Sequence, residues 1–76
     1  MPRAFVLLNI TPGTEDQVLK AVRKTGCVEE AYHSYGVYDL IVRIKAESIE
    51  DLKELVTYQL RKIGNVTSTL TLIETE

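Results

Sequence analysis

One cysteine and one histidine are a thin supply for chemistry. Cys27 has no second cysteine with which to close an internal disulfide, and His33 has no second imidazole. A disulfide scaffold is excluded, and no cluster of metal ligands can be drawn from the pattern. Motifs of the Cys-x-x-Cys, Gly-x-Gly-x-x-Gly, phosphate-loop and His-Glu-x-x-His kinds are missing too. A lone thiol fits a reducing compartment, so a cytoplasmic protein without cofactor is expected. Basic charge is not in excess: nine Lys and Arg against eleven Asp and Glu leave a net charge of −2. Direct nucleic-acid binding, which rests on neutralising phosphates, is therefore not expected. The early apolar run Ala4–Leu8 is far shorter than the ~18 residues of a membrane span and too short for a signal-peptide core. Length is short as well. The 76 residues make one domain, and a domain of that size buries only about 60% of its unfolded surface. Without disulfide or metal, oligomerisation is the stabilising device left.

What the chain does have is a regular alternation of apolar patterns. Ala4–Ile10, rich in branched residues, reads as a strand ending in the turn signal Thr11-Pro12-Gly13. Thr14 then precedes Glu15, Asp16 and Gln17, the pattern of an N-cap with acids in the first turn and a capping-box glutamine. Val18, Leu19 and Val22 form a helical stripe, with Gly26 as its stop. Val28–Tyr35 alternates as an edge strand, Gly36 makes a turn, and Tyr38–Ala46 is the clearest strand. Ser48 starts a second helix whose apolar face is Ile49, Leu52, Leu55, Val56, Leu60 and Ile63. Gly64-Asn65 ends it, and Val66–Glu74 is a threonine-rich last strand. The order β-α-β-β-α-β predicts an α+β, ferredoxin-like fold. Its four-stranded antiparallel sheet would carry both helices on one face.

In that topology the first and third strands are central, and both are apolar on two sides. Phe5 and Leu7 oppose Val6 and Leu8; Ile41 opposes Leu40, Val42 and Ile44. Helices cover one face only, so the other is expected to meet a second copy of the chain.

Two stretches could carry binding. In Thr67–Thr71, alternation sets threonine hydroxyls on one face and Ser68 on the other, able to hold a small polar ligand, although threonine also simply suits strands. In Tyr35-Gly36-Val37-Tyr38-Asp39, the glycine lets backbone N–H groups approach a carboxylate. Asp39 organises the loop or faces an ammonium group. A free amino acid carries both groups. His33 and Cys27 read as an edge-strand residue and a small hydrophobe in a helix–strand joint, with nothing to pair them, and no enzyme is expected.

These two stretches, at this spacing, resemble the effector-binding (RAM) domain of the Lrp/AsnC family, the leucine-responsive and asparagine regulators. Gly36, Tyr38 and Asp39 match a Gly-acidic-aromatic-Asp motif. Val66, Thr69 and Thr71 match Gly-Val-x-x-Thr-x-Thr. Val37 stands at the acidic position and Asn65 at the second glycine, where asparagine also enters the left-handed region. The resemblance implies dimers joined through their sheets, assembly into octamer-like rings, and a free amino acid bound where dimers meet. Carried over residue by residue, the effector site is Tyr35, Gly36, Val37, Tyr38, Asp39, Ser68 and Thr69, with loop N–H groups on the α-carboxylate. Asp39→Ala is expected to weaken binding and leave the fold intact. The family's helix-turn-helix domain is not in this sequence, so the reading is a stand-alone effector domain that could act through full-length relatives. The alternatives are a ligand-free oligomerisation module and a dimeric α+β barrel enzyme.

Overall fold

The computed structural model describes residues 1–74. Its elements are β1 (Arg3–Ile10), α1 (Glu15–Arg23), β2 (Val28–His33), β3 (Leu40–Lys45), α2 (Ile49–Leu55) and β4 (Val66–Ile73). A π-helical turn, Val56–Leu60, continues α2. The strands form one antiparallel sheet in the order β2-β3-β1-β4. The predicted β-α-β-β-α-β order holds, with β1 and β3 central and β2 at an edge.

Strand alternation decides what the core contains. Ala4, Val6 and Leu8 pair with Ile44, Val42 and Leu40, and all six are fully buried. Val18, Leu19 and Val22 of α1 close over them, as do Leu52, Leu55, Val56 and Leu60 of the second helix. Ile63 is partly buried against this cluster, but Ile49 is 48% exposed and does not belong to it. It stands at the start of α2, one turn before the first buried residue of the stripe, Leu52.

Capping follows the sequence at one helix and departs from it at the other. The Ser48 hydroxyl accepts the Asp51 N–H at 3.1 Å, as an N-cap should. Thr14 makes no side-chain cap to α1; its hydroxyl instead donates to the Thr11 carbonyl at 2.6 Å. The tight Thr11-Pro12-Gly13 turn, with Gly13 at φ 87°, turns the threonine back on itself. After α1, the left-handed residue is Cys27 at φ 71°, not Gly26, and the thiol is exposed rather than packed in the joint. Asn65 at φ 75° does take the left-handed position expected of it.

Two irregularities break the strands' simple alternation. Between Val28 and Glu30 the β2–β3 register shifts, so that Glu29 bulges beside Glu30 toward Arg43. Between Asn9 and Ile10 the β1–β4 register also shifts, leaving Thr67 as the extra residue between Val66 and Ser68.

Candidate functional site

Asp39 joins the loop after β2 to the end of β1. Its N–H donates to the Leu8 carbonyl at 2.8 Å, and its carbonyl accepts the Ser34 N–H at 2.8 Å, closing the loop. Its carboxylate reaches further: Oδ2 accepts the Ile10 N–H at 2.9 Å. Ile10 sits at the β1–β4 irregularity, where β3 no longer runs alongside to satisfy that donor, and the aspartate side chain substitutes for a strand. Asp39 thus acts as a structural latch, and its removal is expected to cost stability as well as binding. Strand pairing begins only at Leu40, so Tyr38 and Asp39 belong to the loop and not to β3.

With its base fixed, the loop tip projects. Tyr35 and Val37 are fully or largely exposed, at 103% and 81%, while Tyr38 is half-buried. Gly36 adopts φ 120°, a conformation L side chains rarely enter, and a Cβ there would meet nothing within 4 Å. The glycine is needed by the backbone and not by any neighbour.

The other expected site residues lie across β1 from this loop. Leu8 accepts the Asp39 N–H on one side and has Thr69 as its register partner on the other. Two strand spacings, roughly 10 Å, therefore separate Asp39 from Thr69. Ser68 pairs with Asn9, whose side-chain amide donates to the Ser68 hydroxyl at 3.1 Å. Alternation sets Ser68 on the open face of the sheet and Thr69 on the helix side. One end of the sheet thus gathers the loop, Ser68 and Thr69, but Ser68 and Thr69 look in opposite directions. No single wall of one chain presents all seven.

Thr69 instead opens onto a groove of about 410 Å³ between β4 and the second helix. Lys53, Thr57 and Arg61 line it from the helix, Thr69 and Thr71 from the strand, over Val56 and Ile73. The sequence marks the threonines. Nothing in the sequence pattern singles out the two cations. A larger hollow, about 510 Å³ with Met1, Cys27 and Tyr58 among its lining, holds none of the expected site residues.

The open face of the sheet is mixed. Phe5, Leu70 and Leu72 are 36%, 41% and 50% exposed. Beside them stands a charge cluster. Glu29 accepts the Arg3 Nε–H at 3.0 Å and lies 3.8 Å from both Arg43 and Lys45. Arg43 also approaches Glu30 and Glu74, and its guanidinium lies 5.6 Å from the Phe5 ring centroid. Desolvation pushes the Glu29 carboxyl up, but the Arg3 hydrogen bond and the charges of Arg3, Lys45 and Arg43 outweigh it. The group is held below its ordinary value of 4.5. Hydrogen bonding to Glu30, with desolvation, raises the Tyr32 hydroxyl. Among the described residues no group of three His, Cys, Asp or Glu could hold a metal, and no helix is long and apolar enough to cross a membrane. His33 lies 3.9 Å from Asp16, both well exposed.

The model of the Lrp/AsnC ligand binding domain matches residues 3–76. An uncharacterised HTH-type transcriptional regulator of Pyrococcus abyssi is 30% identical over 73 residues, covering 92% of this chain and 49% of its own. The chain thus spans about half the length of the curated relatives it matches. The crystal structure of FFRP-DM1 superposes with a TM-score of 0.93 at 35% identity, over 99% of this chain and all of that one. The transcriptional regulator NMB0573 of Neisseria meningitidis, solved as its L-Met complex, shares the fold at TM-score 0.85 and 16% identity, over 99% of this chain and 50% of that one.

Proposed function

Because the chain belongs to the Lrp/AsnC ligand-binding domain family, we propose that it is an amino-acid-sensing regulatory domain and not an enzyme, one that binds its effector where copies of the chain meet. The observation that carries this reading is the loop held by Asp39. Its base is locked to β1 by two hydrogen bonds and closed on itself by a third, while Tyr35 and Val37 at its tip face solvent. Exposed apolar groups on a rigid loop suit a surface completed by a partner. Tyr35, Gly36, Val37, Tyr38 and Asp39 form one side of the site, with backbone N–H groups around Gly36 for the α-carboxylate. Ser68 and Thr69 contribute from β4, and their opposed directions favour contributions from different copies.

The open sheet face supports dimerisation. Phe5, Leu70 and Leu72 offer apolar area, the charge cluster sums to zero across three bases and three acids, and the Arg43 Nε is shielded from solvent without a hydrogen-bond partner among the described residues. That nitrogen faces the Glu29 carboxylate at 3.8 Å, too far for a hydrogen bond, and a second sheet closing over the cluster would exclude water and strengthen its ion pairs. Dimers then assemble further around the projecting loops, in an octamer-like ring. The L-Met complex of the Neisseria protein, similar in fold, makes an amino acid the natural class of effector. Co-assembly with full-length HTH-bearing relatives would carry the signal to transcription in the cytoplasm.

Binding between subunits links ligand to assembly: each stabilises the other by the same factor. The test is thermal unfolding and sedimentation of the purified protein against the twenty amino acids. A ligand at a hundred times its Kd should add about 2.7 kcal/mol, a shift of several degrees in so small a domain. Gly36→Ala, which forces the loop backbone to move without any clash, should abolish that shift while the unliganded protein still folds. A flat panel from folded oligomer would replace this reading with a ligand-free assembly module.

A further inference from the structure

The groove beside β4 has a charge that a neutral amino acid cannot answer. Lys53 and Arg61 line it together with the hydroxyls of Thr57, Thr69 and Thr71, and no carboxylate does. Among the described residues, ion pairs within 4.0 Å engage Arg3, Arg43, Lys45 and His33, and neither groove cation takes part in one.

The helix geometry holds these cations on one side. Lys53, Thr57 and Arg61 are spaced by four, and four residues of α-helix slightly overshoot a full turn. From Val56 to Leu60 the helix is a π turn, closed by the Arg61 N–H to the Val56 carbonyl at 2.9 Å. Four residues of that wider turn slightly undershoot. The two drifts oppose each other, so Arg61 stays on the side of the helix that carries Lys53, two turns further along. A regular helix through this segment would splay the pair. Such π turns recur at functional sites because they re-aim side chains in this manner.

Resting on the reading above, we infer that the effector is an acidic amino acid whose side-chain carboxylate enters this groove between Lys53 and Arg61. Guanidinium and carboxylate match as a two-pronged pair, the ammonium adds a point charge, and the threonine hydroxyls donate to the remaining lone pairs. The α-amino and α-carboxyl groups are left for the loop around Gly36 and Asp39 where copies meet. Thr69 lines the groove, and with Asp39 of its own chain two strand spacings away, roughly 10 Å, the loop that meets the ligand is that of a second copy. A volume of about 410 Å³ accommodates such a ligand with room for water.

Titration calorimetry on the purified protein, with L-glutamate, L-aspartate, L-glutamine, L-asparagine and L-leucine at low salt, tests this. At least one acidic amino acid should bind tenfold or more tighter than its own amide. In Lys53→Gln or Arg61→Gln that preference should fall below about threefold. Added salt should weaken the acidic ligand and leave the amide nearly unaffected. If an amide or leucine binds as tightly as the acids, and Gly36→Ala abolishes that binding, the charge assignment is overturned while the effector site stands. If no amino acid gives heat with folded oligomer, both fall together.

Discussion

The two faces of this sheet are built from the same strands yet obey different rules. On the helix side Ala4, Val6, Leu8, Leu40, Val42 and Ile44 are apolar and fully buried. On the other side Phe5, Leu7, Ile41, Leu70 and Leu72 alternate with Arg3, Arg43, Lys45, Glu29 and Glu74, and most are partly exposed. A face made only to be wet would not carry so many large apolar groups; one made only as core would not carry these five charges. Such a mixture, apolar in patches and bordered by charge, suits the dimer proposed above. One face specifies the fold, and the other is the face on which that proposal rests.

Leucine substitutions on the two faces break that comparison most directly. Leu8→Ala removes a fully buried side chain and should cost about 2–5 kcal/mol, enough to unfold much of a small domain. Leu72→Lys, on the half-exposed open side, should change the stability of a single copy by no more than ~0.5 kcal/mol, yet shift the protein toward monomer in sedimentation. Equal loss of stability from both at low protein concentration would erase the distinction between core and interface. Unchanged sedimentation in Leu72→Lys would remove the open face from assembly.

Asp39 sits at the seam between fold and site. Asp39→Ala leaves the Ile10 N–H without its acceptor and should cost about 1–3 kcal/mol in denaturant unfolding. Asp39→Asn, which keeps an acceptor oxygen, should recover most of that loss. If effector binding recovers with it, Asp39 acts by positioning the loop; if stability returns and binding does not, its negative charge faces the ligand.

Much of this was legible beforehand, and several of the exceptions share a cause. Element order, the central pair of strands, the Ser48 cap and the left-handed Asn65 all follow from local pattern. The Glu29 and Thr67 bulges and the Asp39–Ile10 hydrogen bond do not, because each is set by a partner far along the chain, and the π turn after Leu55 leaves no mark in the apolar spacing. Asp39 and Ile10 are 29 residues apart, and no window of sequence contains both. Two local expectations also fail: Thr14 does not cap α1 with its side chain, and Cys27 takes the left-handed position beside an available Gly26, which nothing in the structure explains. The proposed site divides in the same way. The loop and threonines are singled out by composition, whereas Lys53 and Arg61 come to share a groove only once β4 lies beside the helix.

The smallest expected effect sharpens the comparison on the charged border. Glu29 has its carboxyl held below its ordinary value of 4.5 by Arg3, Lys45 and Arg43. A group whose pKa is lowered by folding contributes stability above its unfolded value and loses it as pH falls through the folded one. Glu29→Gln should therefore lower the urea midpoint slightly at pH 7, and the gap between the two proteins should close as pH drops below 4.5 and on past the folded value. The other carboxylates titrate in both proteins and largely cancel from the difference. In a single copy the border is open to water and the gap stays small. Where a second sheet closes over it, water is excluded, the ion pairs are screened less, and the gap should widen with protein concentration. A pH-dependent gap that is independent of concentration would place Glu29 in the fold alone and leave the open face without this charged contact.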